Sequence, residues 1–188
     1  MTTTLSTRDR LIIHAAQLFQ QRGYHGVGLT EILETAGVPK GSLYHHFPNG
    51  KADLAVAAAD WASVDLLRIV DDAFGEAVDF RHGATTLCFK LAKLFDLSGH
   101  WLGCPISSTL FEGPANDLFR TEAARIFDVW IEAVKAHGVR LGLPPAKAAT
   151  SSEALWIGLQ GAWTLSRARR DSSPLRHVPD FVFGSDPQ

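Results

Sequence analysis

The chain has 188 residues, 46% of them hydrophobic, and a formal net charge of −2 at neutral pH. That is enough apolar content for a real core, as one large domain or a small head on a larger body. It excludes a strongly basic nucleic-acid coat, and two cysteines are too few for a disulfide framework.

Charge is unevenly placed. Residues 1–51 carry five Lys/Arg against three Asp/Glu, whereas 52–188 carry thirteen against seventeen. Four of the eight histidines also lie in the first part. This asymmetry marks the N-terminal end as the one to face a polyanion. The start, Met1-Thr2-Thr3-Thr4, lacks the charged-then-apolar build of a signal peptide. No apolar run approaches the roughly 20 residues a membrane span needs, so no membrane is expected as a partner. A reduced cytoplasm is the expected home.

Taken in chain order, nearly every segment reads at helical period. Leu11, Ala15, Leu18 and Phe19, flanked by Ile12 and Ala16, predict a first helix. Ser6 or Thr7 is its expected cap, with Asp9 as capping-box partner, and Gly23 its expected end. Thr30 is expected to cap a second, short helix with Ile32, Leu33 and Ala36 on its apolar face, broken by Gly37-Val38-Pro39. A third runs from about Lys40 to His46, before Pro48-Asn49-Gly50. Lys51 opens a long helix to about Phe74, with Leu54, Ala58, Trp61, Ala62, Leu66, Ile69 and Val70 as buried candidates. Further helices are expected at about 84–97, 105–112, 116–137 and 145–170, with Gly103-Cys104-Pro105 and Gly113-Pro114 as punctuation. The tail from Asp171, with Pro174, Pro179 and Pro187, reads as irregular. No strand-like alternation supports a sheet, so the expected fold is all-α.

The segment Leu29 to Phe47 carries the most information. Two short helices joined by a tight glycine turn form a helix-turn-helix. Ile32, Leu33, Ala36, Val38, Leu43 and Phe47 are spaced to pack inward. That leaves Lys40, Gly41, Ser42, Tyr44, His45 and His46 outward or leading, as a helix entering a DNA major groove requires. Thr30 at a helix N-terminus, Lys51 at another and the Tyr44 hydroxyl suit backbone phosphates.

The stretch from Thr7 to about Leu54 resembles the DNA-binding domain of TetR-type repressors, chiefly through Gly41-Ser42-Leu43-Tyr44-His45-His46-Phe47 with Lys51 beyond. The resemblance implies that Thr30, Tyr44, His46 and Lys51 contact phosphates. Lys40, Gly41, Ser42 and His45 would then lie at or near base edges. It further implies residues 1–50 as the DNA-binding domain and 51–188 as a helical bundle that senses a small-molecule effector and dimerises. Gly99-His100-Trp101-Leu102-Gly103-Cys104-Pro105-Ile106 is similar to the Gly-Cys-Pro-Ile segment of the LmrA/YxaF-like branch. An effector cavity is expected among Trp61, Phe89, Cys104, Ile106, Phe111, Phe127 and Trp130. A homodimer is expected through helices near 116–137 and 145–170, with Leu155, Trp156, Leu159, Ala162 and Trp163 on the broad apolar face of the second.

Several chemical decoys fail on spacing. Gly50-Lys51 lacks the upstream glycine of a phosphate-binding loop, and Ala52 replaces the Ser/Thr that should follow. His45 and His46 are adjacent and point apart on a helix, with no third metal ligand near. Cys88 and Cys104 read as buried thiols rather than a redox pair. No catalytic constellation has defensible spacing, so no enzyme activity, metal or cofactor is expected. The expected function is a ligand-responsive repressor released from a palindromic operator. The alternative is a small helical binding protein or enzyme whose first helices only resemble a DNA reader.

Overall fold

The structure is a computed structural model and describes residues 5–111 and 117–184. The Gly113-Pro114 break, the helix ends expected at 112 and 116, the first four residues and Pro187 lie outside the described residues. Among the described residues there are nine α-helices and no strand. They fall into two compact units: Met1–Val64 with Pro105–Ile126, and Asp65–Cys104 with Phe127–Gln188.

In the first unit, α1 (Thr7–Arg22) starts as its sequence dictates. Ser6 is the cap, its hydroxyl accepting from the Asp9 N–H at 3.1 Å while donating to the Asp9 carboxylate at 2.6 Å. Gly23 ends the helix at φ 74°, its N–H donating to the Phe19 carbonyl. Leu11, Ile12, Ala15, Ala16 and Phe19 are buried. The next helix, α2 (Leu29–Ala36), begins one residue earlier than Thr30 predicts. Gly28 is the cap, no side chain closes it, and Thr30 sits exposed in the first turn. That corrects the capping role but leaves Thr30 at the end where backbone N–H groups lack helical partners.

Gly37 is in the left-handed region, φ 62° and ψ 42°, which only glycine adopts without cost. The turn it makes sends the chain into α3 (Lys40–His46). Arg10 of α1 donates to the carbonyls of Ala36 and Gly37, so a cation meets the negative end of α2. Leu11, Ala15, Phe19, Ile32, Leu43 and Leu54 are completely buried and form the hub on which the three helices close. The short α6 (Pro105–Leu110) packs on α1 in the same unit, where the Gly23 Cα faces the Ser108 carbonyl. Tyr24 meets Phe119 edge-on at 5.1 Å.

The long α4 (Lys51–Phe74) and α7 (Asp117–Arg140) each run from one unit into the other. In the second unit, α5 (Phe80–Leu97) is capped by Asp79, which accepts from the His82 N–H at 2.7 Å. Gly83 of α5 lies directly on the Phe74 ring: a Cβ there would stand 2.2 Å from it. Trp61, expected inside, is partly exposed, because its turn of α4 forms the wall of an open groove.

After α8 (Pro145–Arg169) the chain forms α9 (Ser173–Phe183), where the sequence predicts an irregular tail. Pro174 falls in the first turn, where a missing N–H costs nothing. Pro179 falls inside the helix, at a position local propensity penalises. Packing outweighs it: Leu175, Val178 and Pro179 are buried, and α9 contacts both α5 and α8. Polar clamps assist, since Asp96 of α5 accepts from Arg176 at 2.7 Å and from Ser172 at 3.1 Å.

Candidate nucleic-acid interface

The outward side of α3 is what a DNA reader needs. Leu43 is fully buried and Phe47 nearly so, which fixes the rotation of the helix. Opposite them, Lys40, Gly41, Tyr44 and His45 are exposed, while Ser42 and His46 are half-buried. No side chain stands over Gly41, so the helix presents bare backbone there. Adjacent on the helix, His45 and His46 are expected to point apart, yet their rings meet edge-on at 5.0 Å. Among the described residues no group of three His, Cys, Asp or Glu is placed to hold a metal.

The flanking residues are ordered by contacts that spacing alone does not reveal. Tyr44 is 52% exposed, yet its ring packs against Gly50, which sits at φ 66°. The ring is anchored on one side against that glycine. Asp53 in the first turn of α4 accepts from both the backbone N–H and the side-chain amide of Asn49, closing the turn before Lys51. The Lys51 ammonium lies 4.1 Å from the centre of the Tyr24 ring and 5.9 Å from that of Phe19. Sequence reading missed Tyr24. The available signal was an aromatic residue directly after the Gly23 cap, where a side chain must pack back on its own helix.

Thr30, Leu33, Glu34, Gly37, Val38, Pro39 and Lys40 line a shallow groove where α2 meets α3. The structure thus brings Thr30 and Lys40 to one concavity. Lys40, Gly41, Ser42, Tyr44, His45 and His46 share the helix beside it.

The residues expected around an effector are more dispersed. Trp61, Ile106 and Phe111 belong to the first unit, and Phe89, Cys104, Phe127 and Trp130 to the second. Trp61 borders an open groove with Arg8, Ile12, Phe47, Asp60 and Val64. Phe89 borders another with His82, Thr85, Lys93 and Arg176. Phe111 is exposed, whereas Cys104 and Ile106 are buried. Phe127 and Trp130 are brought together, edge-on at 5.3 Å, and Trp130 continues to Trp156 at 5.0 Å.

The five residues expected at a dimer interface are buried within the single chain: Leu155, Trp156, Leu159, Ala162 and Trp163 face its own interior. The outward strip of α8 includes Ala146, Thr150, Glu153, Ile157, Gly161, Thr164, Leu165 and Ala168. Ile157 is 67% exposed, and no side chain covers Gly161. Helical period gives the apolar faces of such a helix but not which of them its own chain covers.

Comparison with known proteins agrees with this geometry. Residues 11–58 match the family described as bacterial regulatory proteins, tetR family. Residues 82–180 match the C-terminal domain of LmrA/YxaF-like transcriptional regulators. The chain is 30% identical to the HTH-type transcriptional regulator YxaF of Bacillus subtilis (strain 168) over 184 residues, covering 97% of this chain and 96% of that protein. The crystal structure of the regulatory protein TetR from Rhodobacter sphaeroides is similar with a TM-score of 0.79 at 26% identity, over 95% of this chain and 97% of that one. A cysteine mutant of the TetR-family regulator CifR, crystallised with a 26-bp double-strand operator DNA, has a TM-score of 0.79 over 100% of both chains. Its identity is 19%, so it shares the fold.

Proposed function

This chain belongs to the TetR family of bacterial transcriptional regulators and is not an enzyme, and on that premise we propose that it is a ligand-responsive repressor that leaves a palindromic operator when a small apolar or aromatic effector binds. The exposed polar face of α3, rotated outward by the buried Leu43 and Phe47, is the observation that carries this reading. Residues 1–50 are the DNA-binding domain and 51–188 the sensing and dimerisation domain. Thr30, Tyr44, His46 and Lys51 hold phosphates, while Lys40, Gly41, Ser42 and His45 read base edges.

The dimer forms across the outward strip of α8. Ile157, Gly161 and Leu165 make the contact, and Leu155, Trp156, Leu159, Ala162 and Trp163 hold that helix rigid from behind. Two-fold symmetry is then copied into the DNA site. Three stretches of chain join the two units: α4, the segment before Pro105 and α7. An effector that moves α4 moves Lys51, and operator DNA must weaken effector binding by the factor with which effector weakens DNA binding. The cytoplasm is the compartment in which a repressor of this kind meets operator DNA.

Selection from a pool of random double-stranded DNA tests this directly. The expected product is a near-palindrome with half-sites about one helical turn apart. Recovery of no common sequence, the outcome for a helical binding protein that never reads DNA, overturns the proposal.

A further inference from the structure

The shallow groove where α2 meets α3 has walls of two kinds. Thr30, Glu34 and Lys40 bring polar side chains to it, while Leu33, Val38 and Pro39 are apolar. Leu33 and Val38 are buried and form its floor, and Pro39 stands exposed beside them. In the proposed reading Thr30 holds a phosphate and Lys40 reads a base edge. The groove they share is therefore continuous with the surface that meets DNA.

Along the apolar part the backbone has nothing left for a polar partner. The Gly37 N–H donates to the Glu34 carbonyl at 3.1 Å, and the Val38 N–H to the Leu33 carbonyl at 2.9 Å. Pro39 has no N–H to give, and its carbonyl accepts from the Ser42 N–H at 3.0 Å. A phosphate would find no amide donor here and would meet the exposed Glu34 carboxylate. A base carbonyl or amino group set against Leu33, Val38 and Pro39 would lose its water with no bond in return.

Of the groups that base pairs display in the major groove, one is apolar: the C5-methyl of thymine. It asks for no hydrogen bond, and it gains by leaving water for an apolar wall. Pro39 is also well placed to meet it. It directly precedes Lys40, the first residue of α3, and helix-turn-helix proteins set the N-terminal residues of the second helix against base edges. At Gly41 nothing lies within 4 Å of the place a Cβ would take, so no side chain there holds a base away.

We propose that Leu33, Val38 and Pro39 form an apolar seat for the methyl group of one thymine in each half-site, and that Pro39 makes this base a determinant of specificity. This rests on the reading of α3 as a DNA-reading helix, and adds a base that is recognised without a hydrogen bond. Lys40 and Ser42 read neighbouring polar edges, whereas Pro39 reads the one feature that separates thymine from uracil.

The test uses the full-length protein and the duplex recovered by selection. Each thymine is replaced in turn by uracil, at matched positions in both half-sites, which removes one methyl from each and leaves every hydrogen-bonding group in place. At one position affinity is expected to fall about three- to fourfold per half-site, the worth of one buried methyl, and about tenfold over the symmetric pair. Pro39→Ser keeps a good start for α3, because serine is a favoured cap. Its preference for thymine over uracil at that position should largely vanish. Any effect of uracil on the DNA itself is common to parent and variant, so the difference between them belongs to the contact. Should Pro39→Ser not bind the duplex, Pro39→Gly, which adds no side chain, takes its place in the comparison. A half-site without thymine, a parent indifferent to uracil at every position, or a preference that survives the substitution unchanged overturns the methyl seat and leaves the DNA-reading unit standing. Recovery of no common sequence overturns both.

Discussion

At the scale of single residues, the outward face of α3 was legible because its logic is local. Leu43 and Phe47 are apolar at a spacing that fixes the rotation of the helix, and the remaining positions follow from it. Lys51 was legible as a helix-start lysine, but its place over the Tyr24 ring was not, since that contact joins residues 27 positions apart. Lys51→Ala should weaken binding to all DNA sequences alike and lower the salt slope by about one, the signature of one lost phosphate contact. Affinity titrations at several salt concentrations check this, and an unchanged slope would make Lys51 only the partner of Tyr24. Cys88 supports a prediction about pH. Burial pushes its thiol up to about 12 in the folded chain, whereas the unfolded chain holds it at the ordinary 9.0. Above that lower value the unfolded state binds fewer protons, so stability is fully present below it and falls as pH rises. Urea unfolding at pH 8.5 and 10 should show the parent losing about 1 kcal/mol more than Cys88→Ala. Equal losses would mean the thiol is not held neutral.

At the scale of elements, α3 and α4 have the bounds that Pro39, Pro48 and Gly50 mark in the sequence. Strong breakers act on the chain next to them, so they can be read without knowing the tertiary structure. α9 could not be read in that way. Pro179 argues locally against a helix, and what overrides it is burial against α5 and α8, which no window of sequence contains. Thr30 fails as a cap for a similar reason: an N-cap residue is favoured there, yet Gly28 provides the extended geometry one residue before the helix begins. Two glycines test the packing directly. Gly83→Ala places a methyl on the Phe74 ring and should cost about 1–3 kcal/mol by overpacking. Gly37→Ala forces a side chain into the left-handed region and should cost about 1–2 kcal/mol. Chemical denaturation of both variants measures these costs. A neutral Gly83→Ala would show that α4 and α5 have room to separate.

At the scale of the whole molecule, the sequence showed that α8 has a broad apolar character but not how that character divides between core and surface. Leu155, Trp156 and Leu159 are interior, and Ile157 and Leu165 are exposed. Two substitutions on this helix should therefore behave oppositely. Leu159→Ala empties a buried site and should cost about 2–5 kcal/mol of stability with the dimer intact wherever the chain folds. Ile157→Asp lies on the surface of the protomer, so its fold should change by no more than about 0.5 kcal/mol. Sedimentation should nonetheless show it as a monomer. A dimer that survives Ile157→Asp unchanged would move the interface elsewhere. The central claim, that two copies of this chain read one symmetric site through α3, is tested most directly by binding of the selected duplex against one with a single half-site scrambled, in the same buffer at physiological salt. The account predicts two chains per intact duplex and an affinity about a thousandfold or more above random DNA, most of it lost on scrambling and on His45→Ala. Equal affinity for intact and scrambled duplexes, with His45→Ala indistinguishable from the parent, would contradict it.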